Sequence, residues 1–381
     1  MTDGDYRPGL EGVIALETAI SLLDPEQEAI VIRGYDLIEL ARSCSYLEVA
    51  RLILDGELPG PEELHHFAGE LRQAAAVPPA IWRIMGELPA GTHPMNTLRT
   101  ALSALAPFDP DLDQAGPEAE RRMAIRLLAR IPQLVANGWR IRQGHEPVAP
   151  DPDQAYSAAF LSLITGDPHP PEPAVRAFDR LLIAYAEHEM PNSTFTARVI
   201  ASTRADIYGA FTGAAASLKG TLHGGANEAV MYMLEAVGEP GRFEAYLLDK
   251  LARKERVMGF GHRVYRNRPD PRALLMKETL KELAGPLGRM DLVALCEEGE
   301  RVMAREKGLY PNLDYYAAPV YHLLGVPTPL FTPLFFAARS VGLAAHVLEQ
   351  HAANRLFRPR VRYTGPRGKH PPSRSGRDDR A

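Results

Sequence analysis

Three histidines in turn-like settings, an aspartate after Pro-Asn-Leu and a set of spaced arginines are the residues of this chain best equipped for chemistry. They stand in Glu187-His188-Glu189, Leu222-His223-Gly224-Gly225-Ala226-Asn227, Gly259-Phe260-Gly261-His262-Arg263-Val264-Tyr265 and Pro311-Asn312-Leu313-Asp314. Asp270-Pro271-Arg272 lies between the last two, and Arg339 and Arg358 follow. Imidazole gives or takes a proton near neutral pH. Glycine beside His223 and His262 permits tight turns and close approach of backbone to a ligand. Guanidinium groups form charge-assisted, often bidentate bonds to carboxylate and phosphate. The combination suits proton transfer on a small, multiply anionic substrate, and points to an enzyme.

Each residue also has a plainer use. His223 and His262 stand open between catalytic and structural roles, and His65, His66 and His93 read as structural. Asp314 reads as the N-cap of a helix starting at Tyr315, or as a group presented to a site from that helix end. Arg263, Arg266 and Arg268 form either a solvated loop face or a phosphate contact. Rival chemistries fare worse. His188-Glu189 has Asn192 where a zinc protease needs its second histidine, and His145-Glu146 fails in the same way. Gly365-Pro366-Arg367-Gly368-Lys369 has the wrong spacing for a phosphate loop, and neither GxSxG nor CxxC occurs. A nucleophile or metal mechanism has no support.

The elements that must position these groups are helical almost throughout. Ser45-Tyr46-Leu47-Glu48 is a capping box, with Tyr46, Val49, Ala50 and Ile53 on one face and Gly56 closing the helix. Similar spacing predicts helices over 61–76, 118–137, 173–190, 228–237, 242–254, 270–284, 291–307, 314–324 and 332–354. Residues 19–23 and 29–33 read as a short β-hairpin across Asp24-Pro25-Glu26-Gln27. No βαβ alternation occurs, so the expected fold is all-α. The small side chains of Ala210-Phe211-Thr212-Gly213-Ala214-Ala215-Ala216 suit a tight helix contact, within the chain or between subunits. From Gly365 the composition turns to that of a disordered tail.

Bulk properties narrow the class. With 381 residues, 45% hydrophobic and 24% charged, the chain is long enough for two domains. A net charge of -5 leaves no basic footprint for nucleic acid or an anionic membrane. Cys44 and Cys296 have no partner motif, which fits reduced thiols. The acidic start is no signal peptide, and no apolar run approaches the roughly 18 residues of a membrane span. A soluble cytoplasmic protein is expected.

At the quoted motifs the chain resembles the citrate synthase family, over nearly its whole length. Gly9-Leu10-Glu11-Gly12-Val13-Ile14-Ala15, Arg33-Gly34-Tyr35-Asp36, Gly56-Glu57-Leu58-Pro59 and His93-Pro94-Met95 are similar to the shorter bacterial and archaeal members. Ala345-His346-Val347-Leu348-Glu349-Gln350 and Arg358-Pro359-Arg360 match near the end, and only residues 366–381 fall outside. The resemblance implies a homodimer of helical subunits with a short N-terminal β-hairpin. Each would have a large domain over 1–222 and 320–365, a small domain over 223–319 and a disordered tail over 366–381. It implies condensation of acetyl-CoA with oxaloacetate, with Asp314 as base, His223 on the thioester oxygen and His262 on the ketone. His188, Arg272, Arg339 and Arg358 would hold carboxylates, Arg358 from the partner subunit, and Arg266 would meet a CoA phosphate. No metal or redox cofactor is required.

Two departures stand out. Members often read His-Glu-x-Asn-Ala-Ser-Thr, whereas this chain reads His188-Glu189-Met190-Pro191-Asn192-Ser193-Thr194, with proline in place of the asparagine. The loop from His262 to Arg272 is also one residue longer, through Arg268-Pro269. The rival readings are a 2-methylcitrate synthase acting on propionyl-CoA and a non-catalytic, ligand-sensing or structural member. The longer N-terminal region of NADH-inhibited hexameric members is missing, so NADH control is not expected.

Overall fold

The computed structural model describes residues 6–24, 26, 29–262, 264–265 and 268–371. Helical spacing becomes sixteen α-helices among them. The first eight are α1 (Leu37–Ser43), α2 (Tyr46–Asp55), α3 (Pro61–Ala74), α4 (Pro79–Gly86), α5 (Pro94–Leu105), α6 (Pro117–Arg142), α7 (Tyr156–Thr165) and α8 (Glu172–Ala186). The others are α9 (Asn192–Ala201), α10 (Ile207–Leu218), α11 (Ala226–Val237), α12 (Pro240–Ala252), α13 (Pro271–Ala284), α14 (Met290–Lys307), α15 (Leu313–Leu323) and α16 (Phe331–Ala352). The all-α expectation holds.

The hairpin also forms. β1 (Ser21–Asp24) pairs antiparallel with β2 (Ala29–Ile32), Leu22 facing Val31, and a third short strand, β3 (Tyr35–Asp36), extends the sheet. Its turn lies partly outside the described residues. Asp36 ends β3 and caps α1, accepting from the amides of Ile38 and Glu39. The capping box of α2 is complete, with Gly56 closing the helix at φ 100°.

The core gathers around α16, which packs on α2, α6, α8, α9 and α10. This helix is long and apolar enough to cross a membrane, contrary to the reading that no such run occurs, but its apolar stretch is buried in protein. Its apolarity on every side is that of a central core helix. The small-residue stretch lies on α10 against α9, within the chain. A Cβ on Gly213 would come 2.2 Å from Cδ1 of Ile200, so glycine sets how closely the two helices approach.

Among the helix ends that differ from expectation, two concern the chemistry. Apolar spacing carries α8 to residue 190, but the helix stops at Ala186 and Glu187 is extended. Its last carbonyls find other partners: Ala184 O accepts from Arg272 Nη1 at 3.4 Å and Tyr185 O from Arg339 Nε at 2.6 Å. Cations at a helix C-terminus satisfy orphan carbonyls and meet the negative end of the dipole. At α15 the cap is Asn312, not Asp314.

Contacts divide the chain into a unit of Thr18–Arg355 and a second of Met1–Glu17 with Leu356–Ala381. In the second, the described residues hold a single 3₁₀ turn, Pro8–Leu10, and Arg362 lies over the Tyr6 ring. Of the expected tail, residues 366–371 carry no helix or strand and 372–381 lie outside the described residues.

Candidate active site

The segment after α8 supplies the first groups. Its sharp exit puts His188, only 7% exposed, beside His262, with ring centroids 5.3 Å apart. Tyr265 stacks on His262 at 4.8 Å, and its hydroxyl lies 3.4 Å from His188 Nε2. Burial pushes the His188 pKa well below its usual value, helped by the charges of Arg272 and Arg339. His188 is therefore neutral at working pH.

His223 and His262 share a device. The Ser193 amide donates to His223 Nε2 at 3.3 Å, and the Val264 amide donates to His262 Nδ1 at 3.1 Å. An amide can only donate, so the accepting nitrogen carries no proton. The neutral ring then holds it on the other nitrogen, Nδ1 of His223 and Nε2 of His262. Burial lowers both pKa values to about 4, assisted by Arg339 at His223 and by Arg272 at His262. Each ring is thus a neutral imidazole with one N–H to offer. Such a donor can stabilise an oxyanion as it develops.

Arg272 and Arg339 are nearly fully buried. Burial works against the charge of Arg272, but Asp270 holds it: Nε meets Oδ1 at 3.0 Å and Nη2 meets Oδ2 at 2.7 Å. Arg339 is less provided for. Its Nε is used by Tyr185 O and its guanidinium sits 4.9 Å from the Phe335 ring centroid, while Nη1 has no partner. Burial brings its pKa down to about 10, so it remains charged at neutral pH. A buried, charged donor without an acceptor is costly unless an anion fills the place.

Glu187 stands behind Arg339. Its Oε1 accepts from Ser21 Oγ at 2.8 Å and from His346 Nε2 at 3.1 Å. Arg198 donates to His346 Nδ1 at 2.9 Å, which fixes the His346 proton on Nε2. Burial alone would raise the Glu187 pKa, but His346 and Arg339 keep it below the usual carboxylate value.

Asp314, the second residue of α15, is a carboxylate whose ionisation is poised. Burial raises its pKa to about 6, opposed by the Tyr185 hydrogen bond and by the charges of Arg272 and Arg339. The Tyr185 hydroxyl donates to Oδ1 at 2.7 Å. A carboxylate with its pKa just below neutrality is suited to general-base work. Phe335 joins the parts: its ring lies 4.4 Å from that of Tyr185 and 6.1 Å from that of His223, under the Arg339 guanidinium.

His188, His262 and Asp270 also bring possible metal ligands within 4.8 Å of one another. Both Asp270 oxygens already accept from Arg272, and His262 Nδ1 from Val264. With the Arg272 charge in the same place, these donors fit a cation poorly. The surroundings favour an anion.

Of the residues read from sequence, His188, His223, His262, Arg272, Asp314 and Arg339 come together in the Thr18–Arg355 unit. Arg358 falls in the terminal unit, exposed, with Nη1 3.4 Å from Pro359 O. Arg266 lies outside the described residues. Asn192, displaced by Pro191, is exposed and accepts from Ser217, whereas Ser193 faces His223 through Nε2 at 2.9 Å. Tyr185, Glu187, Asp270 and Phe335 were not assigned site roles, since all four fell within stretches read as helix.

The family model described as "Citrate synthase, C-terminal domain" matches residues 9–360. A protein named citrate/2-methylcitrate synthase from Bacillus subtilis is 56% identical over 362 residues, 95% of this chain and 97% of that one. A citrate synthase from Heyndrickxia coagulans is 54% identical over the same shares. The solved structure of Thermoplasma acidophilum citrate synthase, a ternary complex with carboxymethyl coenzyme A and oxaloacetate, superposes with a TM-score of 0.91. It is 28% identical, covering 98% of this chain and 100% of that one.

Proposed function

The chain belongs to the citrate synthase family, and from that premise we propose that it condenses acetyl-CoA with oxaloacetate and water to give citrate and CoA. One observation carries the reading: Asp314, poised near pH 6, shares a cluster with two neutral imidazole donors and a buried arginine whose Nη1 is unpaired. Asp314 removes a proton from the acetyl methyl group. The His223 N–H holds the thioester oxygen as the enol or enolate forms, which offsets the weak acidity of that carbon. The His262 N–H polarises the oxaloacetate ketone and protonates the alkoxide as the carbon–carbon bond forms. Water then cleaves the thioester and frees CoA.

His188, Arg272 and Arg339 hold the oxaloacetate carboxylates. Arg358 reaches the site of the partner subunit in a homodimer, and Arg266 meets a CoA phosphate. The segment over 223–319 acts as a small domain that closes over oxaloacetate and keeps water from the thioester. No step calls for a metal or redox cofactor. The test is oxaloacetate-dependent release of thiol from acetyl-CoA, read with a thiol reagent. Absence of release would favour a non-catalytic, ligand-sensing role. A second reading, 2-methylcitrate synthesis from propionyl-CoA, draws support from the name of the Bacillus subtilis relative, citrate/2-methylcitrate synthase.

A further inference from the structure

Tyr185 touches both halves of the site without belonging to any motif. Its hydroxyl donates to Asp314 Oδ1 at 2.7 Å, and its carbonyl accepts from Arg339 Nε at 2.6 Å. The ring is 1% exposed, with Phe335 at 4.4 Å and Tyr321 at 6.3 Å. A phenol so packed cannot swing aside, and burial holds its own pKa far above the working range. It stays a donor.

We propose that Tyr185 is a positioning residue for the proton abstraction: it ties up Oδ1 of Asp314, leaves Oδ2 to take the proton, and keeps the carboxylate ionised at neutral pH. This rests on the reading of Asp314 as the base. A carboxylate in an apolar pocket tends to protonate, and a hydrogen bond to its charged form opposes that. The other groups facing Asp314 are Arg272 and Asp270 from α13 and its cap, Arg339 from α16, and Tyr321 on its own helix. From α11, Asn227 reaches Tyr185. The arginines favour ionisation and Asp270 opposes it, so the phenol is the neutral donor among them.

The experiment titrates the Asp314 carboxyl by ¹³C NMR, assigned by its loss in Asp314→Asn, and records kcat and KM against pH. It uses the full-length protein, Tyr185→Phe, and a variant carrying 3-fluorotyrosine at position 185, which retains the ring packing. In Tyr185→Phe the midpoint and the acid limb of kcat should rise together by about one to two pH units, the worth of a hydrogen bond to a charged group. At pH 7 this lowers kcat about two- to tenfold, while the KM for oxaloacetate holds within about twofold. The more acidic fluorophenol should move both quantities down. Midpoints and limbs unmoved in both variants would overturn the proposal. Because the NMR midpoint needs no substrate, it judges Tyr185 even if the protein releases no CoA, an outcome that would sink the functional reading instead.

Discussion

The Asn312 side chain caps the helix that carries Asp314: its Oδ1 accepts from the Asp314 amide at 3.1 Å. Its Nδ2 donates to Gly261 O at 3.1 Å, which joins the start of α15 to the loop bearing His262. The Asp314 carboxylate is thereby relieved of the capping duty that its place in the sequence suggests. A polar group spared from stabilising a helix end is free for chemistry.

Replacing Asp314 with asparagine should therefore leave the helix intact. With the base gone and both buried arginines in place, kcat should fall by about 10³-fold, within the usual range for general-base catalysis. Oxaloacetate binding, measured by calorimetry, should change little. Affinity lost in step with turnover would show that Asp314 holds substrate or structure instead.

The same carboxylate predicts a pH signature with two parts. Activity should fall on the acid side with a midpoint near pH 6, where Asp314 protonates. Stability runs the other way for this group. Its folded pKa lies above its usual value of 3.8, so its contribution is full below that value and is lost as pH rises through about 6. Asp314→Asn should thus gain in Tm over the parent at pH 8 and lose that gain by pH 4. His223 and His262 have depressed values, so their contribution is full above pH 6.5 and lost as pH falls through about 4. They weaken both proteins alike in acid, so the difference between the two melting curves isolates Asp314.

Gly342 on α16 offers a test of packing behind the site. A Cβ there would lie 2.3 Å from Glu187 Oε2 and 2.5 Å from Ala186 O, the latter backbone that cannot swing away. Gly342→Ala should cost about 1–3 kcal/mol by overpacking, read from denaturant unfolding. Displacing Glu187 should also weaken oxaloacetate binding through Arg339. A variant as stable as the parent would mean that the exit from α8 yields more readily than its contacts suggest.

How much of this was readable beforehand depends on what holds each part. The capping box at Ser45 and the helix at 271–284 rest on local spacing and were legible. So was the grouping of His188, His223, His262, Arg272, Asp314 and Arg339, through the resemblance. The end of α8 was not, because Tyr185 and Ala186 continue an apolar stripe and the arginines that satisfy its last carbonyls lie far along the chain. Tyr185 looks like core for the same reason: it is core, with a hydroxyl aimed at a residue 129 positions away. The tautomers of His223 and His262 likewise depend on amides that only the folded loops bring near.

Arg358 belongs to the terminal unit, and the other described site residues to the unit of Thr18–Arg355. If it serves the partner's site, an inactive Arg358→Ala chain mixed with an inactive Asp314→Asn chain should recover activity. Each such heterodimer holds one intact site, with Asp314 from the first chain and Arg358 from the second. The expected recovery is about a quarter of the parental activity for an equal mixture, since half the dimers are mixed and each has one working site of two. No recovery despite verified subunit exchange would count against a shared site.

The acyl donor is decided by about one methylene. An apolar pocket discriminates such a difference by only about 1–3 kcal/mol, so the protein should turn over both acetyl-CoA and propionyl-CoA. The chemistry assigned to Asp314, His223 and His262 is indifferent to the choice, because both donors carry an acidic C–H beside the thioester. What differs is room around the reacting carbon. Tyr185, which donates to Asp314, packs its ring against Phe335 and Tyr321, and bulky side chains beside the base favour the smaller donor. The kcat/KM for acetyl-CoA should exceed that for propionyl-CoA by about tenfold or more, at the lower end of what one methylene supplies. A value for propionyl-CoA equal to or above that for acetyl-CoA would transfer the assignment to 2-methylcitrate synthesis and leave the roles of the three residues as they are.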